Sequence, residues 1–102
     1  MIGGAASALQ IEPFTDLIFI YSMSCEACAA AEPDLDKFVK KTSMMVLRLQ
    51  AEGPYPARLG IKVKATPTYV LRYGREAFVH VGGLTVDEIE TWIEGVRSGE
   101  RK

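Results

Sequence analysis

Two cysteines, one histidine and one tryptophan are present in 102 residues, and each scarcity removes a class of function. A structural zinc site usually takes four ligands, which two cysteines and one distant histidine cannot supply within one chain, so no metal is expected. One pair of cysteines also admits only one bridge, which excludes a disulfide-rich scaffold. Charge of either sign is not in excess: thirteen acidic residues stand against twelve basic ones, spread along the chain. That leaves no electrostatic footprint for nucleic acid or an anionic membrane surface. No apolar run approaches the roughly 20 residues of a membrane-crossing helix, so Leu17 to Met23 reads as a buried strand. The small, nearly uncharged stretch Met1 to Gln10 lacks the basic start and the apolar core, about 7–15 residues long, of a secretory signal. Cytoplasmic residence is the expectation, and a periplasmic or other extracytoplasmic location is the alternative if a leader has been removed.

What is present describes one soluble globular domain over residues 1–102, expected to be a monomer, with 1–10 as an N-terminal arm and a weak edge strand around Leu9 to Ile11. Helical spacing over Glu26 to Lys41 places Ala31, Leu35, Phe38 and Val39 on one face, with Pro33 interrupting the helix and kinking it. Ser43 to Gln50 is rich in apolar residues and reads as a central strand covered on both faces. Glu52-Gly53-Pro54-Tyr55-Pro56 breaks regular structure, and Ala57 to Gly60 forms a short helix ending at its glycine. Thr68 to Arg72 and Ala77 to Val81 form a hairpin around Gly74. Thr85-Val86-Asp87-Glu88 is a capping box that starts a last helix from about Val86 to Val96, burying Ile89, Trp92, Ile93 and Val96. The order is strand, helix, strand, short helix, strand, strand, helix, an α/β arrangement.

Reactive chemistry concentrates in Ser24-Cys25-Glu26-Ala27-Cys28, directly after the apolar run. Residues i and i+3 share a helix face, so the two sulfurs can meet as thiols or as a disulfide, and a two-electron redox pair becomes possible. If the helix starts at Cys25 or Glu26, Cys25 sits among unpaired backbone N–H groups at the positive end of the helix dipole, where a thiolate is stabilised. Cys28, one turn inside, is more buried and less ionised. The carboxylate of Glu26 beside Cys25 opposes that ionisation.

The sequence resembles the thioredoxin-like family from Leu17 to Val96. The resemblance rests on Cys25-Glu26-Ala27-Cys28 after a strand, on Pro33 five residues later, on Ala65-Thr66-Pro67-Thr68 before the hairpin, and on Val81-Gly82-Gly83-Leu84-Thr85 before the last helix. It implies a three-layer fold with a central mixed sheet of four to five strands flanked by helices. It also implies a protein-disulfide oxidoreductase in which Cys25 attacks and Cys28 resolves, needing no cofactor. Pro67 is then a cis proline facing the disulfide, with Thr66 offering a backbone edge to substrate and Ser24 and Gly82 bordering it. The implied partners are protein thiols or disulfides and a redox partner protein.

The chain departs from typical thioredoxins where it bears on the chemistry. Phe19 and Ser24 stand where a buried acidic residue and a tryptophan are usual, and Glu26-Ala27 replaces glycine-proline. Arg48 aligns with a basic residue facing the site, so it and Glu26 are candidate modulators of the thiol pKa values. The competing functional reading is a redox-inert or redox-sensing binding module of the same fold. Met23, Met44 and Met45 are expected to fill core gaps, with Met23 alternatively bordering the cysteines. Tyr55 and Tyr69 are placed on the same surface, and His80 is read as a satisfied strand histidine.

Overall fold

A computed structural model describes residues 15–99. The expected N-terminal arm and the edge strand around Leu9 to Ile11 lie outside the described residues. Strand β1 (Thr15–Tyr21) leads to helix α1 (Glu26–Thr42), strand β2 (Val46–Gln50), the single turn α2 (Tyr55–Arg58), strands β3 (Thr68–Tyr73) and β4 (Glu76–Val81), and helix α3 (Val86–Arg97). The described strands form one four-stranded sheet in the order β2-β1-β3-β4. Parallel pairing sets Phe19 beside Arg48, and antiparallel pairing sets Phe19 beside Tyr69 and Val70 beside Val79. The crossover through α1 is what a parallel pair demands, and the short turn at Gly74 (φ +65°) is what a hairpin demands.

β1 is fully buried from Leu17 to Ile20, and its alternation divides the core in two. Leu17 and Phe19 face Leu35, Phe38, Tyr69, Ile89, Trp92 and Ile93, beneath α1 and α3. Ile18 and Ile20 face Leu49 and Val70 on the other side, where Ala51, Ile61 and Val63 pack. Each such side chain taken fully out of water contributes about 1.5–3 kcal/mol. The capping box at Thr85 closes both ways, with Glu88 N–H donating to Thr85 Oγ1 and Thr85 N–H donating to Glu88 Oε1.

Several expectations need correction. β2 is an edge strand among the described residues, pairing only with β1, and its Leu47 is exposed. Its apolar content suggests cover on both faces, but α2 is one turn and leaves part of one face open. Met44 packs against the core, whereas Met45 and Met23 are exposed and fill no gap. Pro33 lies inside α1 as expected, removing one backbone donor while the helix runs on to Thr42. Tyr69 is wholly buried rather than on the surface, because its hydroxyl finds a polar partner inside by accepting the N–H of Leu84 at 3.0 Å.

On the Ile18 and Ile20 side of β1, Asp16 is buried and held by a bidentate pair to Arg72, with Nε–Oδ1 2.8 Å and Nη2–Oδ2 2.6 Å. This hydrogen-bonded carboxylate raises the Arg72 pKa. The pair sits at the start of β1, at the end of the sheet away from the cysteines.

Candidate active site

The chain leaves β1 at Tyr21, and Cys25 N–H turns it by donating to Ser22 O at 3.2 Å. Cys25 then takes the extended N-cap conformation of α1 (φ −93°, ψ 108°), and its Sγ accepts the N–H of Cys28 at 3.0 Å. A sulfur thus occupies the position where a serine or aspartate oxygen usually caps a helix. The two cysteines form a disulfide with their Cα atoms 5.2 Å apart. Cys25 is half-buried at the surface and Cys28 is only 3% exposed. On reduction, the backbone N–H and the helix dipole favour a thiolate at Cys25, while burial disfavours charge at Cys28.

Ala65-Thr66-Pro67 enters β3 with the Thr66–Pro67 peptide cis. Pro67 O accepts the N–H of Gly82 at 2.9 Å, which joins this loop to the end of β4. Gly82 has φ +109°, a conformation that side chains other than glycine rarely take. A Cβ on the next residue, Gly83, would lie 3.6 Å from Ala31 Cβ and 3.8 Å from Ala27 O. The Gly82-Gly83 pair therefore bridges the Pro67 loop and the first turns of α1.

No protein-family model matches the sequence, and no curated protein does. Solved structures do match. A mutant thioredoxin from Halobacterium salinarum superposes with a TM-score of 0.70 over 81% of this chain and 74% of its own, at 23% identity. Reduced Schistosoma mansoni thioredoxin matches at 0.69 over 89% of each chain, at 16% identity. Chloroplastic thioredoxin z matches at 0.66 over 89% of this chain and 84% of its own, also at 16% identity. The fold is that of thioredoxin.

Cys25 and Cys28 at disulfide distance can pass between a dithiol and a disulfide, a change of two electrons. Ser24 and Glu26 flank Cys25 and are exposed, Thr66 is half-buried, and Pro67 is buried. Arg48 does lie beside Phe19 in the sheet, but its guanidinium is engaged by α1 carboxylates, with Nη2–Asp36 Oδ1 2.6 Å and Nε–Glu32 Oε1 3.4 Å. It is an ion-paired arginine bound to the helix rather than a hydrogen-bond donor to a sulfur. Tyr55 is exposed beneath Arg58, whose guanidinium carbon is 5.6 Å from the ring centre. His80 packs against Tyr69 and Trp92, ring centres 6.1 and 5.8 Å away.

One contact of the site escapes the sequence pattern. Ser22 Oγ donates to Glu52 Oε2, and this bond holds the Glu52 carboxyl below its usual range. It fastens the cysteine loop to the loop after β2, and no spacing rule links residues thirty positions apart. Among the described residues no group of three or more His, Cys, Asp or Glu is placed to hold a metal, and no helix is long and apolar enough to cross a membrane. A cleft of about 820 Å³ lies remote from the cysteines, between Phe38, Thr42 and Met44 and the α3 residues Ile93, Gly95 and Ser98. Beside the first turns of α1 lies an open groove of about 270 Å³ whose lining includes Ala27, Ala30, Ala31, Gly83 and Thr85. The half-buried Cys25, with Met23, Ser24 and Glu26 exposed around it, makes the disulfide accessible from the surface.

Proposed function

We propose that the protein is a thiol–disulfide oxidoreductase exchanging disulfides with protein substrates through Cys25 and Cys28. The observation that carries this reading is the asymmetry of the pair, one sulfur capping α1 at the surface and the other buried one turn inside. Reduced Cys25 attacks a substrate disulfide as the thiolate, forming a mixed disulfide and releasing one substrate thiolate. Cys28 then attacks Cys25 Sγ, the mixed disulfide breaks, and the second substrate thiolate leaves. Two electrons have passed to the substrate, and the reverse sequence oxidises a dithiol.

An open site suits a polypeptide better than a small molecule, which a thiol enzyme of this kind would enclose. Extended substrate chain is proposed to lie along Thr66 and Pro67, bordered by Ser24 and Gly82, with a separate redox protein regenerating the pair. Insulin reduction driven by dithiothreitol tests the reading. Turbidity should develop faster than with dithiothreitol alone, and it should require Cys25. A rate equal to that of dithiothreitol alone would favour a binding module whose disulfide is inert.

A further inference from the structure

Resolution needs Cys28 to lose a proton, and among the described residues most candidate acceptors are engaged elsewhere, Glu52 included, whose carboxylate accepts the Ser22 hydroxyl. Asp16 is the one buried carboxylate among the described residues, but it faces away from α1 at the far end of β1 and is occupied by Arg72. Phe19 fills the strand position nearer the cysteines with an apolar ring. Glu26 lies two residues before Cys28, and side chains so spaced do not face each other on a helix. Asp34 accepts the N–H of Val86. Tyr69 has its phenol oxygen occupied by the Leu84 N–H, and burial pushes its pKa up. Lys62 and Lys64 offer only donors. His80 is engaged with Trp92 on the outer strand, and Glu88 with the Thr85 cap.

Glu32 stands four residues after Cys28, the spacing at which side chains stack on one strip with Cβ atoms about 5–6 Å apart. Helical side chains lean toward the N-terminus, and on this strip the residue one turn in that direction from Glu32 is Cys28. Arg48 reaches from β2 to Glu32 Oε1 with Nε and to Asp36 with Nη2, pinning the carboxylate between sheet and helix. The Glu32 side chain is about one-third exposed, which keeps it in exchange with water.

We propose that Glu32 is the proton acceptor for Cys28 in the resolving step, with Arg48 as the positioning residue that holds its carboxylate. The proton passes from Cys28 Sγ to Glu32, directly or through one water. The Cys28 thiolate attacks Cys25 Sγ, the bond from Cys25 to the substrate sulfur breaks, and that sulfur leaves with the electron pair. Glu32 returns the proton to water or to the leaving thiolate. The proposal rests on the oxidoreductase reading above.

The test separates the two. Reduced protein mixed with 5,5′-dithiobis(2-nitrobenzoate) releases one thionitrobenzoate when Cys25 attacks and a second when Cys28 resolves, both read by absorbance. Glu32→Gln should leave the first phase unchanged and slow the second by about ten- to a hundredfold, toward the low end of what a positioned base contributes. Arg48→Gln should slow the second phase less, and Asp36→Asn, which breaks only the other arm of Arg48, should leave it near wild type. An unchanged second phase in Glu32→Gln overturns the proposal. Absence of a first phase in the wild type would instead defeat the oxidoreductase reading.

Discussion

Asp34 Oδ1 accepts the backbone N–H of Val86 at 3.2 Å, so the helix that carries the cysteines supplies a cap for the helix that ends the domain. Val86 is the first residue of α3, where the N–H has no partner within its own helix. With Thr85 and Glu88 already bonded to each other, the start of α3 is closed on both sides.

Asp34→Ala should therefore destabilise the protein by about 1 kcal/mol, as loss of a helix cap does. Urea unfolding would read it as a lower midpoint at unchanged slope. Thr85→Ala should cost a similar amount. Alkylation of Cys25 should be untouched in both, and a slowed thiol would show that Asp34 reaches the active site and not only α3.

Iodoacetamide should label Cys25 much faster than Cys28 in the reduced protein, because one sulfur caps the helix at the surface and the other is buried. Mass spectrometry of a timed digest gives both rates. Equal labelling would contradict the assignment of attacker and resolver.

Arg72→Ala removes the partner of a buried carboxylate and should destabilise by about 3 kcal/mol, the low end for a buried pair because the guanidinium is partly exposed. Replacing both residues, Asp16→Leu with Arg72→Met, should recover most of that loss. A double variant as unstable as the single one would mean that the pair's value lies in its packing and not in its charge.

Burial pushes the Tyr69 phenol up, a shift the Leu84 N–H partly opposes. A phenol whose folded pKa exceeds its unfolded value of about 10 keeps its proton in the native state while the unfolded chain loses it. The stabilisation is full below about pH 10 and is lost as pH rises through the raised value. Urea midpoints from about pH 9 upward should fall less steeply in Tyr69→Phe than in the wild type. Parallel slopes would remove Tyr69 from the alkaline limb.

Where local rules govern, the sequence is legible. Apolar spacing locates β1, α1 and α3, the glycine at the hairpin locates its turn, and Thr85 with Glu88 marks the α3 start. The sequence leaves the start of α1 at Cys25 or Glu26, and the structure starts it at Glu26 with Cys25 as its cap. Properties that depend on distant segments are not legible. An apolar β2 looks the same at an edge as at the centre, since exposure depends on what α2 fails to cover. Tyr69 carries a polar tip, and only the fold supplies the Leu84 N–H that lets it be buried. Arg48 does stand beside Phe19, but its choice of Glu32 and Asp36 as partners depends on how α1 crosses β2. The Ser22–Glu52 tie has no periodicity to announce it.

The sulfur that starts α1 does two jobs with one atom, and this governs how an inert control should be made. Cys25→Ser keeps an oxygen where Cys28 N–H needs an acceptor, and serine is among the preferred N-cap residues, so that variant loses nucleophilicity while retaining the helix start. Cys25→Ala loses both at once. A stability difference between the two inactive proteins would therefore measure the cap alone.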